Sequence, residues 1–85
     1  MYSVDFSDLA KKQLFKLPVE IQKRIINALQ RIRIRPQAYV TKLVGDESYR
    51  LRVGDYRIIM DIHQDTLLVL VLEVGHRMSE FSTSL

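Results

Sequence analysis

Four arginines and one histidine stand out in the second half of this chain: Arg50 and Arg52, two residues apart, Arg57 five positions later, and the adjacent pair His76-Arg77. Side chains two apart on a strand share a face, so Arg50 and Arg52 point together, opposite Leu51 and Val53. Gly54-Asp55 is a tight-turn signal, and a hairpin closed there brings Arg57 beside Arg52. Arg77, just beyond a long apolar run, adds a guanidinium from a third segment. No acid occupies any of these positions. Like charges gathered on one face repel, which costs stability unless an anion is expected there. Phosphate is the obvious anion, because the guanidinium fork matches its oxygens in bidentate geometry.

A plainer reading stands beside this one. Arginines are common on solvated sheet faces, and Asp46, Glu47, Asp55, Asp61 and Glu80 could each pair with one of them. Such exposed pairs contribute only about 0 to 1 kcal/mol and need no function. Spacing alone leaves both readings open. His76 could accept a proton near a phosphodiester at neutral pH, but it would share a site with Arg77 only where the strand has already ended. His63, expected at a turn, reads as a solvated polar residue.

Other chemistries find no support. Two histidines without grouped acids make no metal site, and with no cysteine there is neither a disulfide nor a thiolate ligand or nucleophile. There is no glycine-rich phosphate loop and no Ser-His-Asp constellation, so nucleotide hydrolysis and acyl transfer are not indicated. No cofactor is expected.

The elements that must position the arginines follow from periodicity. At 85 residues and 47% apolar content, the chain reads as a single domain, residues 1–85. A domain of this size buries only about 60 to 65% of the surface that its unfolded chain exposes, so added burial against a partner would help it. Tyr2, Val4 and Phe6 alternate with polar residues as in a short strand. Ser7 or Asp8 caps a helix expected to run to about Lys16, with Leu9, Ala10, Leu14 and Leu17 on its apolar side. Pro18 suits the first turn of a second helix, in which Ile21, Ile25, Ala28, Leu29 and Ile32 recur at spacings of three and four until Pro36 ends it. Short strands follow: Thr41 to Val44, Tyr49 to Val53, Tyr56 to about His63, and Leu67 to Val74. The last is nearly all Leu and Val, as expected of a central strand covered on both faces. The predicted class is α+β, in the order β-α-α-β-β-β, with a helical hairpin packed on a mostly antiparallel sheet.

The charge is unevenly spread. The net charge is +3, but the stretch from Asp8 to Arg35 alone carries eight basic residues against two acids. Lys11, Lys12, Lys16, Lys23, Arg24 and Arg31 form a basic helical face, which is either simply solvated or steers the protein toward a polyanion such as structured RNA. No apolar run approaches the roughly 20 residues needed to cross a bilayer, so no membrane association is expected. Asp5, Asp8, Lys11 and Lys12 interrupt any signal-peptide core, and a cytoplasmic location is expected.

The run Tyr49-Arg50-Leu51-Arg52-Val53-Gly54-Asp55-Tyr56-Arg57-Ile58-Ile59, followed by Val74-Gly75-His76-Arg77, resembles the signature of the RelE/ParE toxin superfamily, the RelE branch in particular. The likeness covers nearly the whole chain, including a Lys-Leu-x-Gly segment at Lys42-Leu43-Val44-Gly45. It implies the toxin of a type II toxin–antitoxin pair: a metal-independent endoribonuclease that enters the ribosomal A site and cuts messenger RNA. A RelB-like antitoxin would neutralise it, and the pair would bind operator DNA through their complex. By the same resemblance, Arg50 and Arg52 take the family's basic strand positions, Arg57 is its phosphate-binding arginine and Arg77 its transition-state arginine, while Lys42 and Phe81 would contact RNA. Phe81 stands where the family commonly has a tyrosine, and a phenyl ring can stack on a base but cannot transfer a proton. Proton transfer would then fall to His76, water or the substrate. Because the fold hosts more than one toxic action, a ParE-like inhibitor of DNA gyrase and an attenuated toxin acting mainly in an antitoxin complex are the alternatives.

Overall fold

The computed structural model describes residues 1–76. Its elements are β1 (Ser3–Phe6), α1 (Asp8–Phe15), α2 (Val19–Ile32), a 3-10 turn (Pro36–Ala38), β2 (Thr41–Lys42), β3 (Tyr49–Val53), β4 (Tyr56–His63) and β5 (Leu68–His76). They form one five-stranded sheet in the order β1-β5-β4-β3-β2, with β1 parallel to β5 and every other pair antiparallel. The expected class and order hold, and β5 is an interior strand between β1 and β4, with β4 in the middle of the sheet.

Local chemistry sets the helix ends. The Ser7 hydroxyl accepts from the Ala10 N–H at 3.1 Å, capping α1. Pro18 occupies the cap of α2, one position before the first turn that the sequence suggests. There the Gln22 amide donates to the Leu17 carbonyl at 2.8 Å, satisfying an acceptor that the proline break leaves free. Beyond α2, Arg33 Nε donates to the Tyr2 carbonyl at 2.9 Å, so one member of the basic stretch pins the amino terminus.

Both helices lie on one face of the sheet. Ala10 and Leu14 of α1, and Ile25, Leu29 and Ile32 of α2, meet Leu51, Ile58, Met60, Val69, Val71 and Val74 in a single core. Leu9, assigned by periodicity to the apolar side of α1, is instead exposed. The opposite sheet face carries no helix among the described residues. Leu68, Leu70 and Leu72 are half-buried, so among the described residues the second face of β5 is only partly covered.

A bulge decides how β5 meets its neighbour. Met60 pairs with Val71 but Ile59 pairs with Glu73, so Leu72 is an extra residue on β5. This slip puts Val69, Val71 and Val74 all on the buried side and turns Glu73 outward. Without it, alternation would drive Glu73 into the core. A bulge frees backbone groups from the ladder, and α1 satisfies them: Ser7 Oγ donates to the Leu72 carbonyl at 3.0 Å, and the Val74 N–H donates to Gln13 Oε1 at 2.7 Å.

Candidate nucleic-acid interface

The β3–β4 hairpin closes over Gly54-Asp55. Gly54 takes φ +58, while Asp55 is not among the positive-φ residues, the pattern of a type II′ turn with glycine first. The turn sets the register Arg52↔Arg57 and Arg50↔Ile59. Arg50, Arg52 and Arg57 therefore stand on one face, the side away from the helices, with Arg52 and Arg57 directly opposed. Cβ atoms of such pairs lie about 4.5 to 5.5 Å apart. Burial first, and Arg50 second, push the Arg57 guanidinium below its usual value, while Glu73 acts in the opposite direction. Arginine starts so high that Arg57 stays charged at any physiological pH.

Arg57 faces Gly75 across β4 and β5. Apart from its chain neighbours, no described atom lies within 4 Å of where a Cβ on Gly75 would be. Beside Arg50, a recess of about 310 Å³ is lined by Tyr39, Thr41, Arg50 and Arg52. Such a surface presents two or three guanidinium forks, a hydroxyl, and an aromatic ring on which a base can stack.

Register separates the remaining sequence candidates from this face. Lys42 pairs with Tyr49, which packs on the core, so Thr41 rather than Lys42 shares the side of Arg50. The strand still runs at His76, which pairs with Tyr56; their rings meet edge-on with centroids 4.9 Å apart. Tyr56 packs against the core, so His76 belongs to the helix side and Arg57 to the other. Arg77 and Phe81 lie outside the described residues. Among the described residues, no three His, Cys, Asp or Glu side chains gather in a way that could hold a metal ion, and no helix is long and apolar enough to cross a membrane.

Sequence reasoning passed over Tyr39 and Thr41, which carry no motif and reach Arg50 only through the short β2 pairing. It also read Arg24 and Arg31 as part of a helical face. In the fold they line a second cleft, of about 370 Å³, together with Asn27, Ala28, Arg52 and Val53.

Comparison with known proteins agrees with this architecture. A search of curated protein sequences finds no significant match. Among solved structures, the toxin–antitoxin complex RelBE2 of Mycobacterium tuberculosis contains a chain 28% identical, with TM-score 0.82, covering 89% of this chain and 98% of its own. The intact Escherichia coli RelBE toxin–antitoxin complex matches at 27% identity and TM-score 0.76, covering 89% and 96%. The archaeal RelE–RelB complex of Pyrococcus horikoshii matches at 26% and 0.76, covering 89% and 94%. The family model for the ParE toxin of type II toxin–antitoxin systems matches residues 4–81, and with that span covered this chain belongs to the RelE/ParE superfamily as the toxin of a type II toxin–antitoxin system.

Proposed function

We propose that this toxin is a ribosome-dependent messenger RNA endonuclease that arrests translation. The observation that carries the reading is the convergence of Arg50, Arg52 and Arg57 on the sheet face away from the helices, with Arg57 opposite Gly75. Arg50 and Arg52 hold the strand through its phosphates, and Arg57 binds the scissile one. The 2′-oxygen attacks phosphorus, the P–O5′ bond breaks, and a 2′,3′-cyclic phosphate and a free 5′-hydroxyl result. Charge building on the non-bridging oxygens is met by guanidiniums already in place, the largest contribution a fixed site can make to such a step. Arg77, by the resemblance, adds to this stabilisation.

One proton must leave the 2′-hydroxyl and one must reach the 5′-oxygen. Arginine does neither at neutral pH. Water and the substrate's own oxygens are the carriers, because His76 pairs with Tyr56 on the helix side of the sheet, away from the face of Arg57, and no metal enters the scheme. With transfer so indirect, turnover rests on positioning and electrostatics.

The RelE-like chains named above were solved with antitoxins. By that likeness, a RelB-like antitoxin neutralises this toxin, operator DNA is contacted only through their complex, and the site of action is the cytoplasm, at the ribosomal A site.

Primer extension on messages after induced expression tests the reading. Discrete new 5′ ends are expected with the natural chain and not with Arg57→Ala or Arg77→Ala variants of unchanged fold. Cleavage that persists in both variants overturns it. The matching family model is that of the ParE toxin, and by resemblance to the ParE branch the second reading is inhibition of DNA gyrase. Intact messages together with a DNA-damage response would establish that one instead.

A further inference from the structure

We propose that the cleft between α2 and the open edge of β3 is a second phosphate subsite, which holds the RNA strand one or more nucleotides away from the linkage bound at Arg57. The inference rests on the nuclease reading and extends it to residues outside the arginine face. The cleft exists because β2 is short: it pairs only with Tyr49 and Arg50, so among the described residues the edge of β3 has no strand partner from Leu51 to Val53. Alongside this edge, α2 presents Arg24 and Arg31, two turns apart on one helix face, with the small Ala28 between them. Arg52 completes the lining, and Asn27 adds an amide that can donate to a phosphate oxygen.

Three features favour an RNA phosphate as the occupant. The lining contains three arginines and no acid, and among the described residues no carboxylate pairs with Arg24, Arg31 or Arg52. Gathering them without a counter-ion costs stability, which a bound phosphate would reverse. Arg24 is also given a seat: a Cβ on Gly54 would come within 3.2 Å of its Nη2, so the glycine that makes the hairpin turn also leaves room for this guanidinium. Finally, Arg52 lines both this cleft and the recess of Tyr39, Thr41 and Arg50, so one cation joins the two sites around the strand edge. A backbone with a charge at every nucleotide can occupy both at once.

The test uses the full chain with the paired substitution Arg24→Ala and Arg31→Ala, both exposed positions on α2, with circular dichroism verifying the fold. Binding of a fluorescein-labelled 2′-O-methyl RNA oligonucleotide, which lacks the attacking hydroxyl, is followed by polarisation between about 50 and 200 mM salt. The variant is expected to bind roughly 10-fold more weakly. Its slope of log K against log salt should be shallower by about 0.7 for each phosphate that the variant no longer neutralises. A dinucleotide too short to span both clefts should bind the two proteins equally. Equal affinity and slope for the long oligonucleotide overturn the subsite while leaving the nuclease reading intact. Weakened binding of the antitoxin with RNA binding unchanged also overturns it, by making the cleft a protein-binding surface. A natural chain that neither binds RNA nor cuts messages removes both proposals.

Discussion

On the helix side of the β3–β4 hairpin, Leu51, Ile58 and Met60 are sealed into the core with Ile25 and Leu29. On the other side of the same backbone, Arg50, Arg52 and Arg57 stand with no helix above them among the described residues. The inner row stabilises the fold by removing apolar surface from water, at about 25 cal/mol per Å². The outer row opposes folding slightly through mutual repulsion. Neighbouring residues in one strand therefore answer to different demands: one set would be retained by any protein of this shape, and the other, on the proposed reading, answers to what it binds. Burial even orders the outer side in part, since Ile59, opposite Arg50 in register, is itself buried.

Four substitutions probe this division, beginning with the largest effect. Ile58→Ala removes a fully buried side chain and should cost about 2 to 5 kcal/mol, read as a fall in urea midpoint or Tm. Arg57→Ala should change stability by no more than about 1 kcal/mol yet lower ribosome-dependent message cleavage by about 100-fold or more, in line with the loss of one charge-stabilising donor. A fall in Tm as large as that of Ile58→Ala would abolish the distinction between the faces. Gln13→Leu strands the Val74 N–H at the bulge and should cost about 1 to 3 kcal/mol. It also sharpens the comparison: if the bulge is what sets Gly75 opposite Arg57, cleavage should fall further than stability explains, measured at a temperature where the variant remains folded. Arg52→Gln should be the mildest, raising stability by about 0.2 to 1 kcal/mol through relief of repulsion while weakening RNA binding. A drop in stability would instead assign Arg52 a structural role.

Much of this was legible from local pattern. Ile25, Leu29 and Ile32 on α2, the Ser7 cap and the Gly54-Asp55 turn are each defined by residues within a few positions of one another. So is the shared face of Arg50 and Arg52, which needs only the pleat. The pairing of Arg52 with Arg57 follows from a two-residue turn of the expected kind. The placement of Lys42 and His76 was not legible. Lys42 depended on which residue of β2 meets Arg50, and His76 on the extra residue Leu72, whose presence reverses the parity of everything after it on β5. In hindsight Glu73 was the signal: simple alternation from Val69 and Val71 would have buried its carboxylate, at a cost that a one-residue slip avoids.

The sequence by itself determined the helix periods, the turn chemistry and the like-charged row on β3, because each is a short-range consequence of side-chain spacing and backbone sterics. Only the tertiary structure decided that β1 runs parallel beside β5, that the bulge sets Gly75 opposite Arg57, and that α2 carries Arg24 and Arg31 to an edge β2 leaves open. Those outcomes hang on contacts between segments tens of residues apart. They are selected by the burial of one shared core rather than by any local preference.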